Sequence, residues 1–145
     1  IITRRIYGLP QRAGCKNVID LHGNVYNNFC PHCGRTYPME YVRDSVRVPL
    51  CEVCKTPVRP RVCLFGEMVD NSVITRAAQE IQKADVLLVL GSHLNSYLCN
   101  QLINYYEGDK LILVNETTHY AERLADIVIH ERVDHLLERL RRELG

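Results

Sequence analysis

ADVLLVLGSHLNSYLCNQLINYYEGDKLILVN, residues 84–115, decides the fold class. An aspartate opens an unbroken aliphatic run, Val86 to Leu90, and Gly91 closes it; a second run, 110–114, ends on Asn115. Between the two, residues 96–108 (SYLCNQLINYYEG) carry helical spacing. Apolar strands that do not alternate with polar residues, joined through a helix, belong to a parallel sheet covered on both faces. The pattern continues outward, with a short helical piece at 118–125, a third strand at 126–130 and a charged amphipathic helix, VDHLLERLRREL, at 133–144. Upstream, NSVITRAAQEIQKA (71–84) predicts an amphipathic helix with Val73, Ala77, Ala78 and Ile81 on one side and Asn71 or Ser72 as its cap. The expected fold is α/β, a partial Rossmann-like doubly wound parallel sheet.

Only three strands of that sheet are convincing, beside a stub at Ile1 and Ile2 and a short run, VCLF, at 62–65. A three-stranded parallel sheet leaves an apolar edge open, which soluble proteins pair or cover. The expectation is that a second chain, or an N-terminal segment upstream of Ile1, completes it.

Residues 25–64 break the pattern, being rich in Pro, Arg and Cys with short strand-like pieces such as TYPMEYV at 36–42. Such a segment holds too little apolar material to fold around its own core and needs a staple. Cys30-Pro-His-Cys33 and, 17 residues later, Cys51-Glu-Val-Cys54 have the two-knuckle spacing of a structural zinc site. Four thiolates fill a tetrahedral ion, so this zinc has no open position for chemistry. His32, between the first pair, is expected to face solvent. The predicted division is 1–24 with 65–145 as the Rossmann-like part and 25–64 as an inserted zinc-ribbon module.

At 145 residues and 46% hydrophobic, the chain has material for one ordinary core and a small satellite. A net charge of +1 sets up no whole-molecule field toward nucleic acid or a membrane. No apolar run approaches the roughly 20 residues of a membrane span, and the first residues do not show the charged, apolar and small-residue sections expected of a secretory signal. Seven cysteines in partly paired spacing suit metal binding in a reducing compartment, so an intracellular, cytoplasmic location is expected.

QRAGCKNVIDLHGN (11–24), the two Cys-x-x-Cys pairs, RPRVCLFGE (59–67), ADVLLVLGSHLN (84–95) and LILVN (111–115) together resemble the sirtuins in order and spacing. The resemblance covers nearly the whole chain and corresponds to the C-terminal part of a sirtuin. It implies an NAD-dependent protein lysine deacylase, in which the acyl oxygen of a modified lysine attacks the ribose carbon bearing nicotinamide and a histidine deprotonates a ribose hydroxyl. His22, in Leu21-His22-Gly23, matches that base. Phe65, Gly66 and Glu67 match the loop that, with the stretch from Gly91, receives the substrate peptide as an added strand, while Cys63 and Phe65 match the lining of the acyl-lysine tunnel. Gly91, Ser92 and Asn115 fall where the family holds the dinucleotide.

Departures cluster at the cofactor. Where the family shows Thr-Gln-Asn-Ile-Asp, this chain reads Thr3-Arg4-Arg5-Ile6-Tyr7, and Pro10, His93, Ser96 and Leu98 also differ. The family's glycine-rich phosphate loop would lie before Ile1. Two readings follow: an enzyme portion that does not catalyse deacylation as an isolated chain, or a catalytically degenerate zinc-containing module that recruits a protein partner.

Overall fold

The computed structural model of the chain describes residues 1–92 and 96–145, and Ala121 by its backbone. Two compact units divide it, Ile1–Thr75 and Arg76–Gly145.

The second unit contains the parallel sheet expected from 84–115. Strands Val86–Leu90 (β6), Lys110–Val114 (β7) and Ile127–Ile129 (β8) lie in sequential order with β7 in the middle. Val86 stands opposite Lys110 and Leu90 opposite Val114, and Ile112 to Val114 face Ile127 to Ile129. The central strand is the buried one, with Leu111, Leu113 and Val114 inside. At the edge, β6 leaves Val86, Leu88 and Leu90 exposed on alternate positions, which share one face of the sheet.

Helix Tyr97–Ile103 (α4) is capped by Ser96, whose hydroxyl accepts the Cys99 N–H at 3.2 Å. It ends well before the predicted residue 108, because Tyr106 turns out of the helical path. The Tyr106 hydroxyl lies 2.7 Å from the Asp85 carbonyl and accepts the Lys110 N–H at 2.9 Å, fastening the entry of β6 to that of β7. Residues 118–125 give a 3₁₀ turn, Tyr120–Leu124, and Val133–Leu144 (α5) is a helix over the span predicted.

In the first unit, Ile2–Thr3 (β1) pairs in parallel with Ile19–Asp20 (β2), and a single helical turn, Leu9–Arg12 (α1), lies between them in sequence. Gly23–Phe29 (β3) is the middle strand of an antiparallel ribbon flanked by Thr36–Tyr37 (β4) and Arg59–Val62 (β5).

Three local expectations are corrected. TYPMEYV is not one strand: Pro38 has no N–H for a ladder, and after it Met39–Arg43 forms a helical turn (α2). VCLF is not a strand either, since β5 ends at Val62, opposite Gly23. Helix Asn71–Gln82 (α3), which crosses from one unit into the other, buries Ala77 and Ile81, but its cap is Asp70, whose carboxylate accepts the Ser72 N–H at 2.8 Å. Among the described residues no helix is long and apolar enough to cross a membrane.

Candidate functional site

The two cysteine pairs fold into the same turn twice. Cys30 donates its N–H to the Arg35 carbonyl at 2.8 Å and accepts the Gly34 N–H at 2.9 Å; Cys51 repeats this with Thr56 at 2.7 Å and Lys55 at 2.9 Å. The fourth residue after the first cysteine must take a left-handed backbone: Gly34 does so at φ 74°, and Lys55 does so at φ 57° although it carries a Cβ. Replacing Lys55 by glycine is therefore expected to stabilise the zinc-loaded protein by about 0.5–1 kcal/mol. Thermal unfolding reads this as a higher midpoint; a lower one would contradict it.

The Sγ atoms of Cys30, Cys33, Cys51 and Cys54 all lie within 4.8 Å of one another. Cys30 and Cys54 are 3.7 Å apart, and Cys33 and Cys51 are 3.6 Å apart. A tetrahedral zinc with Zn–S bonds of about 2.3 Å has edges of about 3.8 Å, so the four sulfurs enclose a space of zinc's size. Cys30 and Cys51 are fully buried while Cys33 is exposed. Tyr37 and Val58 complete the buried cluster, with Tyr41, Val42 and Cys54 packed against it, so the metal site is most of this module's core. Hydrogen bonds from the Cys54 N–H and the Tyr37 hydroxyl pull the Cys51 thiol down to about 5, against burial, which suits a ligand that binds as thiolate. His32 is exposed and outside the cluster.

The ribbon also builds the second group of residues. After the Gly23–Val62 pair the ladder continues by one bond, the Cys63 N–H donating to the His22 carbonyl at 2.9 Å. His22 and Cys63 are thereby neighbours. A Cβ at Gly23 would run into the Arg61 carbonyl, and its φ is +76°, so the residue after the histidine has to be glycine for the strands to meet. His22 is half-buried, and its pKa is lowered from 6.5, first by burial and then by the Arg4 guanidinium. Its imidazole stays neutral, and able to accept a proton, at lower pH than a free histidine.

Residues 63–67 form a tight turn tied from within. Arg59 grips both Glu67 carboxylate oxygens, at 2.9 Å and 3.0 Å, and the Leu64 N–H donates to the same carboxylate at 2.9 Å. These two contacts, in that order, hold the Glu67 carboxyl below its usual range. Glu67 thus fixes the turn from below while Phe65 stands fully exposed at its tip. Sequence reading missed Arg59 as a partner, because nothing local marks a pair eight positions apart.

In the second unit Gly91, Ser92 and Asn115 meet at the C-terminal ends of β6 and β7. The Gly91 N–H donates to the Val114 carbonyl at 2.9 Å, and the buried Asn115 donates its side-chain amide to the Ser92 carbonyl at 2.9 Å. Open parallel sheets bind ligands at this end of their strands. Position 93, one of the departures from the family pattern, lies outside the described residues.

The sequence profile of the Sir2 family matches residues 1–97. The chain belongs to the Sir2 family. NAD-dependent protein deacetylases of Clostridium acetobutylicum and Clostridium tetani are each 40% identical to it, over 95% and 100% of this chain and over 57% and 59% of their own. The chain thus spans just under three fifths of these sirtuins. A crystal structure of Sir2 with the inhibitor EX-527, 2'-O-acetyl-ADP-ribose and deacetylated p53 peptide superposes with a TM-score of 0.86 at 35% identity, across 99% of this chain and 64% of that one. A Sir2 complex with p53 peptide and NAD+ gives 0.86 at 34% identity, across 99% of this chain and 62% of the other.

Proposed function

We propose that this sirtuin chain carries the general base, the acyl-lysine-reading turn and the zinc ribbon of an NAD-dependent protein lysine deacylase. The observation that carries the proposal is the ladder bond from Cys63 to His22, which holds the backbone of the proposed base beside that of the residue expected to line the lysine tunnel. NAD, when bound, supplies the ribose that accepts the acyl group and the nicotinamide that leaves. In that reaction His22 takes the proton of a ribose hydroxyl at its free ring nitrogen. Phe65 meets the substrate, and the backbone of 65–67 offers strand-like hydrogen bonding that accepts many sequences. The four cysteines hold one zinc, which closes the 25–64 module inserted between 1–24 and 65–145 and takes no part in the chemistry.

The residues present suit only part of a dinucleotide. Gly91, Ser92 and Asn115 form a polar crest of the right kind, yet α3, α4 and α5 follow Asp70, Ser96 and Arg132, so none of them opens on the glycine-rich turn that takes a pyrophosphate. The proposal therefore includes that a polypeptide of these 145 residues alone does not turn over. A second reading, a protein-recruiting module without chemistry, is favoured by exposed Arg4, Arg5 and Tyr7 where the family pattern has smaller polar residues.

Nicotinamide release from NAD with an acetyl-lysine peptide tests both readings. Release by the protein isolated from its own cells, but not by the 145-residue chain, is expected. Release by neither would leave the recruiting module, and release by the chain alone would refute its incompetence.

A further inference from the structure

Tyr37 is the one tyrosine of the zinc module whose hydroxyl reaches a cysteine sulfur among the described residues. It sits on β4, four residues past Cys33, and yet its partners lie on the other knuckle. The hydroxyl is 3.1 Å from Cys51 Sγ and accepts the Glu52 N–H at 2.9 Å. A phenol has one proton. With its lone pair engaged by Glu52, that proton is left to point at the Cys51 sulfur.

We infer that Tyr37 is a positioning residue of the metal site, a strut from the first knuckle that aims the Cys51 sulfur and pins the second knuckle in place before the metal arrives. The ring is 7% exposed and stacks at 4.6 Å on Tyr41, so the hydroxyl is carried by a side chain that packing already fixes. Cys51 is fully enclosed, and the direction of its lone pairs is set by these neighbours and not by water. Groups that hydrogen-bond to metal ligands orient them and set metal affinity. Tyr41 is the internal control. It shares the same cluster and the same stacking, but its hydroxyl donates to the Leu50 carbonyl at 2.6 Å and, among the described residues, bonds to no sulfur.

The test compares Tyr37→Phe with Tyr41→Phe in the full chain. Zinc affinity, read by competition with a chromogenic chelator, is expected to fall about 10–100-fold in Tyr37→Phe and to stay near the parent value in Tyr41→Phe. With cobalt(II) in the site, loss of a hydrogen bond to the thiolate raises the energy of the sulfur electrons. The sulfur-to-cobalt charge-transfer band should then move to longer wavelength in Tyr37→Phe and stay in place in Tyr41→Phe. Equal losses in both variants, or parent affinity with an unmoved band in Tyr37→Phe, would overturn the inference and leave Tyr37 a packing residue. Should Tyr37→Phe fail to fold, the unmutated protein loaded with cadmium-113 decides: a slowly exchanging Tyr37 hydroxyl proton coupled to the metal is expected, and a rapidly exchanging, uncoupled one would overturn it.

Discussion

Stripping the metal, by a strong chelator or by Cys51→Ser, is expected to unfold residues 25–64. The apolar material that could hold this segment otherwise is small: among the described residues Tyr37 and Val58 are its buried apolar side chains beside two cysteines, while Val46, Val48 and Val53 face outward. Zinc binding in such modules is worth about 10–16 kcal/mol at neutral pH, more than the stability of most domains, about 5–15 kcal/mol. Cys51 is fully buried at the centre of the cluster, so its loss removes a ligand that no solvent-side group can replace. Hydrogen exchange read peptide by peptide should show protection in 25–64 collapsing, while β6, β7 and β8 of the other compact unit keep theirs. Full protection of 25–64 after complete metal removal would contradict the staple.

The second large effect is expected at His22. In the working enzyme, His22→Ala should lower kcat/KM by about 10²–10⁴, the usual contribution of a positioned general base. Because burial and Arg4 lower the His22 pKa from 6.5, the neutral form persists as pH falls toward the depressed value. Activity should therefore rise along a limb whose midpoint lies below 6.5 and be level above it. Arg4→Ala removes the smaller of the two causes, so the limb should move toward higher pH with its height kept. Activity of His22→Ala within tenfold of the parent, or a limb that Arg4→Ala leaves in place, would exclude His22 as the base.

What was legible in the sequence and what was not divide along physical lines. The parallel sheet could be read from 84–115 because a strand buried on both faces is an uninterrupted aliphatic run, and β7, buried as expected, is its clearest case. The clustering of the four cysteines could be read from spacing, because two Cys-x-x-Cys pairs 17 residues apart have the pattern of paired zinc knuckles. Short elements were harder. TYPMEYV satisfies an alternating pattern until Pro38 divides it, and the helix after Asp70 offered three neighbouring residues that all cap well. Sequence order could not show that Tyr37 reaches Cys51 or that Arg59 holds Glu67, since side-chain pairings of that kind are made by the ribbon's register. Likewise the closeness of His22 and Cys63 comes from the β3–β5 pairing, while the resemblance to sirtuins supplied their roles.

The native mass of the protein taken from its own cells, recorded with and without NAD, tests the account most directly. A mass well above that of these 145 residues with one zinc, rising further by one NAD, is the result the proposal predicts. A mass equal to the 145 residues and one zinc, unchanged by NAD, would contradict it.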